Sequence, residues 1–209
     1  MLKIEDHCLF EEFGTNTWLL WDEDSREAWL IDPAAPSEAL LARIRELGLK
    51  VTLLVNTHGH GDHIGGNAWF KEALGAPVLI HPADAPLLTD NRRNFSEYLG
   101  NPLRLDPPDL LAEDGQILKL GDHSIRVIHT PGHTLGGICL LANGFLLSGD
   151  TLFQQSIGRT DLPGGNHAQL ITSIREKLFS LPDDTVVFPG HGPRTSIGLE
   201  KKSNPFVRP

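Results

Sequence analysis

Cysteine is scarce in this chain: only Cys8 and Cys139 occur among 209 residues. That excludes a disulfide framework as the source of stability, and a reduced, cytoplasmic setting is the expectation. Cys139 lies in the apolar run Ile138-Cys139-Leu140-Leu141 and reads as a core thiol. No apolar run approaches the roughly 20 residues that span a bilayer. The opening Met1-Leu2-Lys3-Ile4-Glu5-Asp6-His7 lacks the basic-then-apolar order of a secretory signal. Basic residues are also few. Against 27 Asp and Glu stand 18 Lys and Arg, a formal net charge of −9, which argues against nucleic acid or an anionic membrane as partner. Two common catalytic signatures are missing as well: there is no Gly-x-Ser-x-Gly elbow and no Walker phosphate loop. What remains is ordinary globular material, 40% hydrophobic and 22% charged, expected to form a single domain over residues 1–209.

Histidine is what the chain concentrates. The run Thr57-His58-Gly59-His60-Gly61-Asp62-His63 holds three imidazoles and a carboxylate. Pro131-Gly132-His133-Thr134, Ser148-Gly149-Asp150-Thr151 and Pro189-Gly190-His191-Gly192 each add one more ligand-type residue in a glycine-marked turn. Half of the chain's 10 histidines fall in these four strings. A solvated polar turn would not collect them this way. Five imidazoles and two carboxylates are enough for two borderline divalent cations.

The surrounding pattern places these strings at strand ends. Trp18–Trp21 and Ala28–Ile31 read as strands about a polar turn. Ser37 caps a helix over Glu38–Leu47, whose apolar residues Leu40, Leu41, Ile44 and Leu47 recur at helical spacing. Val51–Val55 is a β-branched apolar run, hence a buried strand, and the histidine cluster follows it. A helix over Asn67–Leu74 and a strand at Val78–Ile80 come next. The second half repeats the grammar loosely: strands at Ser124–His129, Gly137–Leu141, Phe145–Leu147 and Thr185–Phe188, with one helix capped by Asn166. Two such halves predict an α/β fold of four layers, two mixed sheets packed face to face with helices outside. The stretch 89–113, rich in Asn, Asp, Pro and Arg, has no period and reads as a binding loop; it carries the only tyrosine, Tyr98.

These strings resemble the metallo-β-lactamase superfamily, and within it the glyoxalase II (hydroxyacylglutathione hydrolase) group in a short form. The resemblance runs through Ile31-Asp32-Pro33, Thr57 to Gly66, Pro131 to Thr134, Ser148 to Phe153, Gly158-Arg159-Thr160-Asp161, Pro189 to Gly192 and Asn204-Pro205-Phe206. It implies the αββα sandwich of that superfamily. It also implies that His58, His60 and His133 bind a first metal, that Asp62, His63 and His191 bind a second, and that Asp150 bridges both. Asp32 would support the metal loops from behind. The ions would be Zn²⁺, with Fe or Mn²⁺ also accepted by such a set. Two departures matter. Leu135 stands where many relatives have proline. Only 18 residues follow His191, so the helical domain that supplies basic contacts to glutathione in full-length relatives is missing, and Arg159, Lys201, Lys202 or the 89–113 loop with Tyr98 would have to contact the substrate instead.

Two metals roughly 3.5–4 Å apart can share a hydroxide and polarise a carbonyl, with Asp62 orienting the nucleophile or moving a proton. A thioester suits such a site, because a thiol of pKa about 8.5 leaves without a dedicated general acid. The expected activity is therefore hydrolysis of a small-molecule thioester such as S-lactoylglutathione, by a monomer or homodimer. The alternative on the same fold is a persulfide dioxygenase with one iron on His58, His133 and Asp150. Lactonase or β-lactamase chemistry ranks lower. A purely structural zinc ranks lowest, since such sites are closed by four ligands, often Cys.

Overall fold

The computed structural model describes residues 1–207. Two six-stranded mixed sheets carry the fold. The first runs, in spatial order, β1 (Leu2–Phe10), β2 (Thr15–Asp22), β3 (Glu27–Ile31), β4 (Lys50–Val55), β5 (Val78–Ile80) and β6 (Leu110–Leu111). β1, β2 and β3 pair antiparallel, and β3 through β6 pair parallel. The second sheet is built from β7 (Ile117–Leu120), β8 (His123–His129), β9 (Ile138–Ala142), β10 (Phe145–Gly149), β13 (Val186–Pro189) and β14 (Thr195–Ser196). Only its β10–β13 pair is parallel. A small hairpin, β11 (Leu152–Phe153) with β12 (Ser156–Ile157), follows β10.

Three apolar layers separate four layers of structure. Trp18, Leu20, Trp29, Ile31 and Val55 of the first sheet meet Val127, Leu140, Leu147 and Phe188 of the second. Trp18 and Phe188 touch edge to face, ring centroids 5.1 Å apart. Outside the first sheet, Leu40 and Ile44 of α1 (Glu38–Glu46) and Phe70 of α3 (Asn67–Leu74) cover Leu19, Leu30 and Leu54. Outside the second, Leu170 of α5 (His167–Ser173) and Ile197 of α6 (Ile197–Ser203) cover Ile128, Leu146 and Val187. β3 and β4 therefore have apolar partners on both faces, which is why their sequences are unbroken apolar runs. Each such buried side chain contributes about 1.5–3 kcal/mol relative to exposure.

The helix ends follow their capping residues. The Ser37 hydroxyl accepts from the Leu40 N–H at 3.2 Å, and Asn166 accepts from Gln169 N–H at 3.0 Å. Short helices α2 (Gly61–Ile64) and α4 (Ala85–Leu88) complete the set. Three features depart from the sequence expectation. β1 and β7 are edge strands with few buried residues, so neither carries a clear alternation. The helix capped by Asn166 passes after Ser173 into a π-helical turn, Ile174–Leu178. Leu170, Ile174 and Leu178 are nonetheless all buried, because a single widened turn keeps the apolar stripe on one side.

Candidate metal centre

The C-terminal ends of β4, β8, β10 and β13 meet at one edge of the sandwich. Leaving β4, the chain reaches His58 and His60, and α2 then presents Asp62 and His63. His133 follows β8, Asp150 follows β10, and His191 follows β13. The turns are tight enough to need glycine. Gly149 sits at φ +48°, and a side chain there would collide with Thr57. One at Gly190 would collide with Asp150 and His63.

Two clusters result. Ligand atoms of His58, His60 and His133 lie within 4.8 Å of one another, as do those of Asp62, His63 and His191. His133 Nε2 is 3.3 Å from His58 Nε2 and 3.0 Å from His60 Nδ1. His63 Nε2 is 3.1 Å from His191 Nε2, and Asp62 Oδ2 is 3.6 and 3.5 Å from these two nitrogens. Asp150 lies between the clusters: Oδ2 is 3.5 Å from His133 Nε2 and 3.3 Å from His191 Nε2, and Oδ1 is 3.4 Å from His63 Nε2.

The outer partners decide which nitrogen each ring offers. His133 Nδ1 is 2.7 Å from the Arg159 carbonyl, and His191 Nδ1 is 2.9 Å from that of Phe13. A carbonyl can only accept, so both rings carry their proton on Nδ1. The Thr57 hydroxyl donates to Asp32 Oδ2 at 2.6 Å, leaving its oxygen to accept from His58 Nδ1 at 3.2 Å. Asp32 Oδ2 also accepts from His63 Nδ1 at 3.0 Å. Every one of these four Nε2 atoms is turned inward. In the neutral rings, the lone pairs of His58 and His133 face each other at 3.3 Å, an arrangement that a cation between them relieves. Zinc–nitrogen bonds of about 2.0–2.1 Å at tetrahedral angles set ligand nitrogens roughly 3.3–3.4 Å apart, which these spacings approach. His60 Nε2 and Asp150 Oδ1 are buried with no hydrogen-bond partner among the described residues. The donor set thus fits a binuclear divalent site.

Electrostatics point the same way. Burial, reinforced by the other histidines, holds His58 and His60 well below the usual imidazole range, so their lone pairs are free at neutral pH. Burial also opposes charge on His63, but Asp150, Asp62 and Asp32 outweigh it and raise its pKa to about 10 without metal. Asp150 is pushed the other way: despite burial, His63 and its neighbours keep it ionised well below the ordinary carboxylate range. A third grouping, Asp32 with His58 and His63, is not a separate site. Its carboxylate is already taken by the Thr57 N–H at 2.7 Å, the Thr57 hydroxyl and His63 Nδ1.

A cavity of about 430 Å³ opens over both clusters. Its walls beyond the metal ligands include Phe13, Phe95, Tyr98, Phe153, Ile157 and Leu162. Of the residues expected to contact substrate, Tyr98 and Arg159 are there; Tyr98 is 73% exposed at the mouth. Lys201 is not. Its ammonium binds Asp183 at 2.7 Å and the Leu181 carbonyl at 3.1 Å, on the outer surface of α6. The 89–113 loop reaches the site by being strapped down: Asn94 donates to the Leu87 and Leu103 carbonyls, and its own carbonyl accepts from Gly61 N–H.

Four supporting residues carry no sequence signal of their own. Asp84, fully buried after β5, accepts from the N–H of Gly59 at 3.0 Å and of Gly136 at 2.6 Å, tying the His58–His60 loop to the His133 loop. Asn16 donates to the carbonyls of Pro189 and Gly192 and fixes the His191 turn. Asn56 and Asn67 exchange amide hydrogen bonds and anchor the first loop to α3. Each contact is made to backbone or amide groups distant in sequence, so no local spacing marks it.

A paired His/Asp centre at the strand ends of a four-layer sandwich defines a metallo-hydrolase-type scaffold. The sequence profile of the metallo-beta-lactamase superfamily matches residues 11–191, and the chain belongs to that superfamily. It is 39% identical over 200 residues to hydroxyacylglutathione hydrolase GloC of Haemophilus influenzae, covering 93% of each chain. It is 37% identical to the probable metallo-hydrolase YqgX of Bacillus subtilis, covering 92% of each. Among solved structures, the B3 metallo-beta-lactamase BLEG-1 superposes with a TM-score of 0.93 at 37% identity, covering 99% of this chain and 100% of that one. TTHA1623 in a di-iron-bound form gives 0.80 at 38%, covering 92% and 95%. ETHE1 from Myxococcus xanthus gives 0.79 at 31%, covering 97% and 83%.

Proposed function

We propose that this chain hydrolyses the thioester of a small acylated thiol, of the S-lactoylglutathione type, at a centre holding two divalent ions, with zinc the expected pair. The second cluster carries the reading. Asp62, His63 and His191 converge as closely as the first cluster, and a one-metal reaction has no use for them. Two ions, one on each cluster, would supply a water acidic enough to give hydroxide near neutral pH and a Lewis acid for the carbonyl. Asp62, with Oδ2 facing both His63 and His191, would orient that water or move its proton. Asp150 reaches both clusters and fixes their separation. The cavity lining contains no lysine or cysteine among the described residues, and its one phenol, Tyr98, is 73% exposed at the mouth. A leaving group that departs as its own anion therefore fits better than an amine, which must be protonated. The similarity to the Haemophilus influenzae hydrolase supports the same substrate class.

A second reading has one observation of its own. His58, His133 and Asp150 form a compact two-histidine, one-carboxylate set, with 3.3 Å between the imidazole nitrogens and 3.5 Å from His133 Nε2 to Asp150 Oδ2. One iron on that set would suit a persulfide dioxygenase, and the likeness to the Myxococcus xanthus protein agrees with it. Elemental analysis with parallel assays separates the two. Close to two metals per chain with S-lactoylglutathione turnover supports the hydrolase. One iron per chain, no thioester turnover, and O₂ uptake with glutathione persulfide would replace it. A lactone and a β-lactam belong in the same panel; faster turnover of either would change the substrate class.

A further inference from the structure

We infer that the cavity favours an apolar acyl arm over a lactoyl group and a neutral carrier over glutathione, an inference that rests on the thioesterase reading and moves its substrate away from the S-lactoylglutathione type. The walls show why. Aromatic rings run outward from the ligands themselves: Phe95 stands edge-on to His60 at 5.6 Å, and Tyr98 lies against Phe95 at 5.7 Å. On the other side Phe153 stands edge-on to His191 at 5.9 Å. Phe13, 46% exposed, and Tyr98 present apolar surface at the mouth. Phe95 holds φ at +64°, a backbone conformation rare for a bulky residue, and it projects into the cavity from there.

Beyond the metal ligands, basic side chains are scarce where a carrier such as glutathione would need them. Arg159 is the one lysine or arginine among the described lining residues. Its fork is closed on Asp161, Nε to Oδ1 at 2.8 Å and Nη2 to Oδ2 at 2.8 Å. A carboxylate on the substrate would compete with Asp161 for a guanidinium on the exposed rim, where such a pair contributes only about 0–1 kcal/mol. Methylene groups laid along Phe95, Phe153 and Leu162 lose water contact outright.

The test uses the metal-loaded protein and two sets of hydrolysis-inert thioethers, S-ethyl and S-hexyl, on neutral N-acetylcysteamine and on glutathione. Affinity should rise about fourfold per buried methylene, roughly 250-fold from ethyl to hexyl if all four added methylenes are buried. The glutathione thioethers should bind no tighter than their neutral counterparts, and Phe153→Ala should shrink the hexyl-to-ethyl ratio. Equal affinity for ethyl and hexyl overturns the inference, as does tenfold tighter binding of the glutathione series. In parallel, S-acetyl and S-hexanoyl N-acetylcysteamine are assayed for hydrolysis. If neither of these nor S-lactoylglutathione is cleaved, the thioesterase reading fails while the thioether ratios still decide the inference; if S-lactoylglutathione alone is cleaved, the reading stands and the inference falls. If both are cleaved at equal kcat/KM, the reading stands and the inference falls.

Discussion

The Asp32 carboxylate lies 3.0 Å from Nδ1 of His63, on the side of the ring away from the metal pocket. Asp32 sits at φ +50° after β3, and Thr17 holds it there by donating to its carbonyl at 2.7 Å. The same carboxylate fixes Thr57, and through it His58. One residue from the first sheet therefore sets one ring in each cluster. Asp32→Ala should lower metal affinity about 10- to 100-fold, as loss of such an outer partner does. It should also cost about 1–3 kcal/mol for the buried Thr57 N–H left unpaired. Chelator competition reads the first effect and urea unfolding the second. Wild-type chelator resistance in the variant would remove Asp32 from the support of the centre.

Among the described residues, Asp150 is the carboxylate that reaches both clusters. Asp150→Ala should abolish turnover and reduce bound metal toward one ion per chain, and His60→Ala should act likewise by opening the first cluster. Elemental analysis of the dialysed variants is the check. An Asp150→Ala protein with full activity and two metals would sink the bridging role.

Metal removal should create a pH-dependent protein. Without metal, burial disfavours His63 charge, yet Asp150, Asp62 and Asp32 raise its pKa from 6.5 to about 10. A folded value above the unfolded one means that the stabilisation is complete below pH 6.5 and is lost as pH rises toward 10. The Tm of metal-free protein should fall across that window, while metal-loaded protein stays nearly flat. Metal uptake at pH 7.5 should release a proton, because a ligand imidazole must be neutral. Calorimetry in buffers of different ionisation enthalpy measures that release. A metal-free Tm that rises from pH 6.5 to 10 would contradict the assignment.

Much of this was readable in the chain because the relevant signals are local. β4 is a continuous apolar run ending at the histidine string, and Ser37 and Asn166 cap helices by reaching three residues ahead. The two sheets and their outer helices follow from such runs. β1 was not readable, since it is an edge strand whose pairing with β2 is fixed by register and not by its own alternation. Asp84 and Asn16 were not readable either, because their partners are backbone groups up to 176 residues away. Lys201 shows the reverse relation between sequence and fold. A basic residue near the C-terminus suggests an anion contact, but only the fold reveals that Asp183 already holds it.

That placement makes Lys201→Ala a useful control. It removes an exposed pair worth about 0–1 kcal/mol and touches no cavity residue. KM and kcat for the thioester should both stay within twofold of wild type. A KM raised tenfold would bring Lys201 back to the substrate.

Asp84 offers the sharpest separation of support from ligation. It contacts neither cluster, yet its two oxygens hold Gly59 and Gly136, one in each loop of the first cluster. Burial raises its pKa, and the N–H donors from Gly136 and Gly59 work against that rise. Asp84→Ala leaves two buried N–H groups unpaired, about 1–3 kcal/mol each, and frees the His58–His60 loop from the His133 loop. Asp84→Asn keeps one acceptor but turns an amide N–H toward a backbone donor, so its loss should be smaller. The cost should fall on the first cluster alone: one metal equivalent should become chelator-labile while the Asp62, His63 and His191 cluster retains its own. Loss of both metals together, or of neither, would show that Asp84 does not hold the two loops in register.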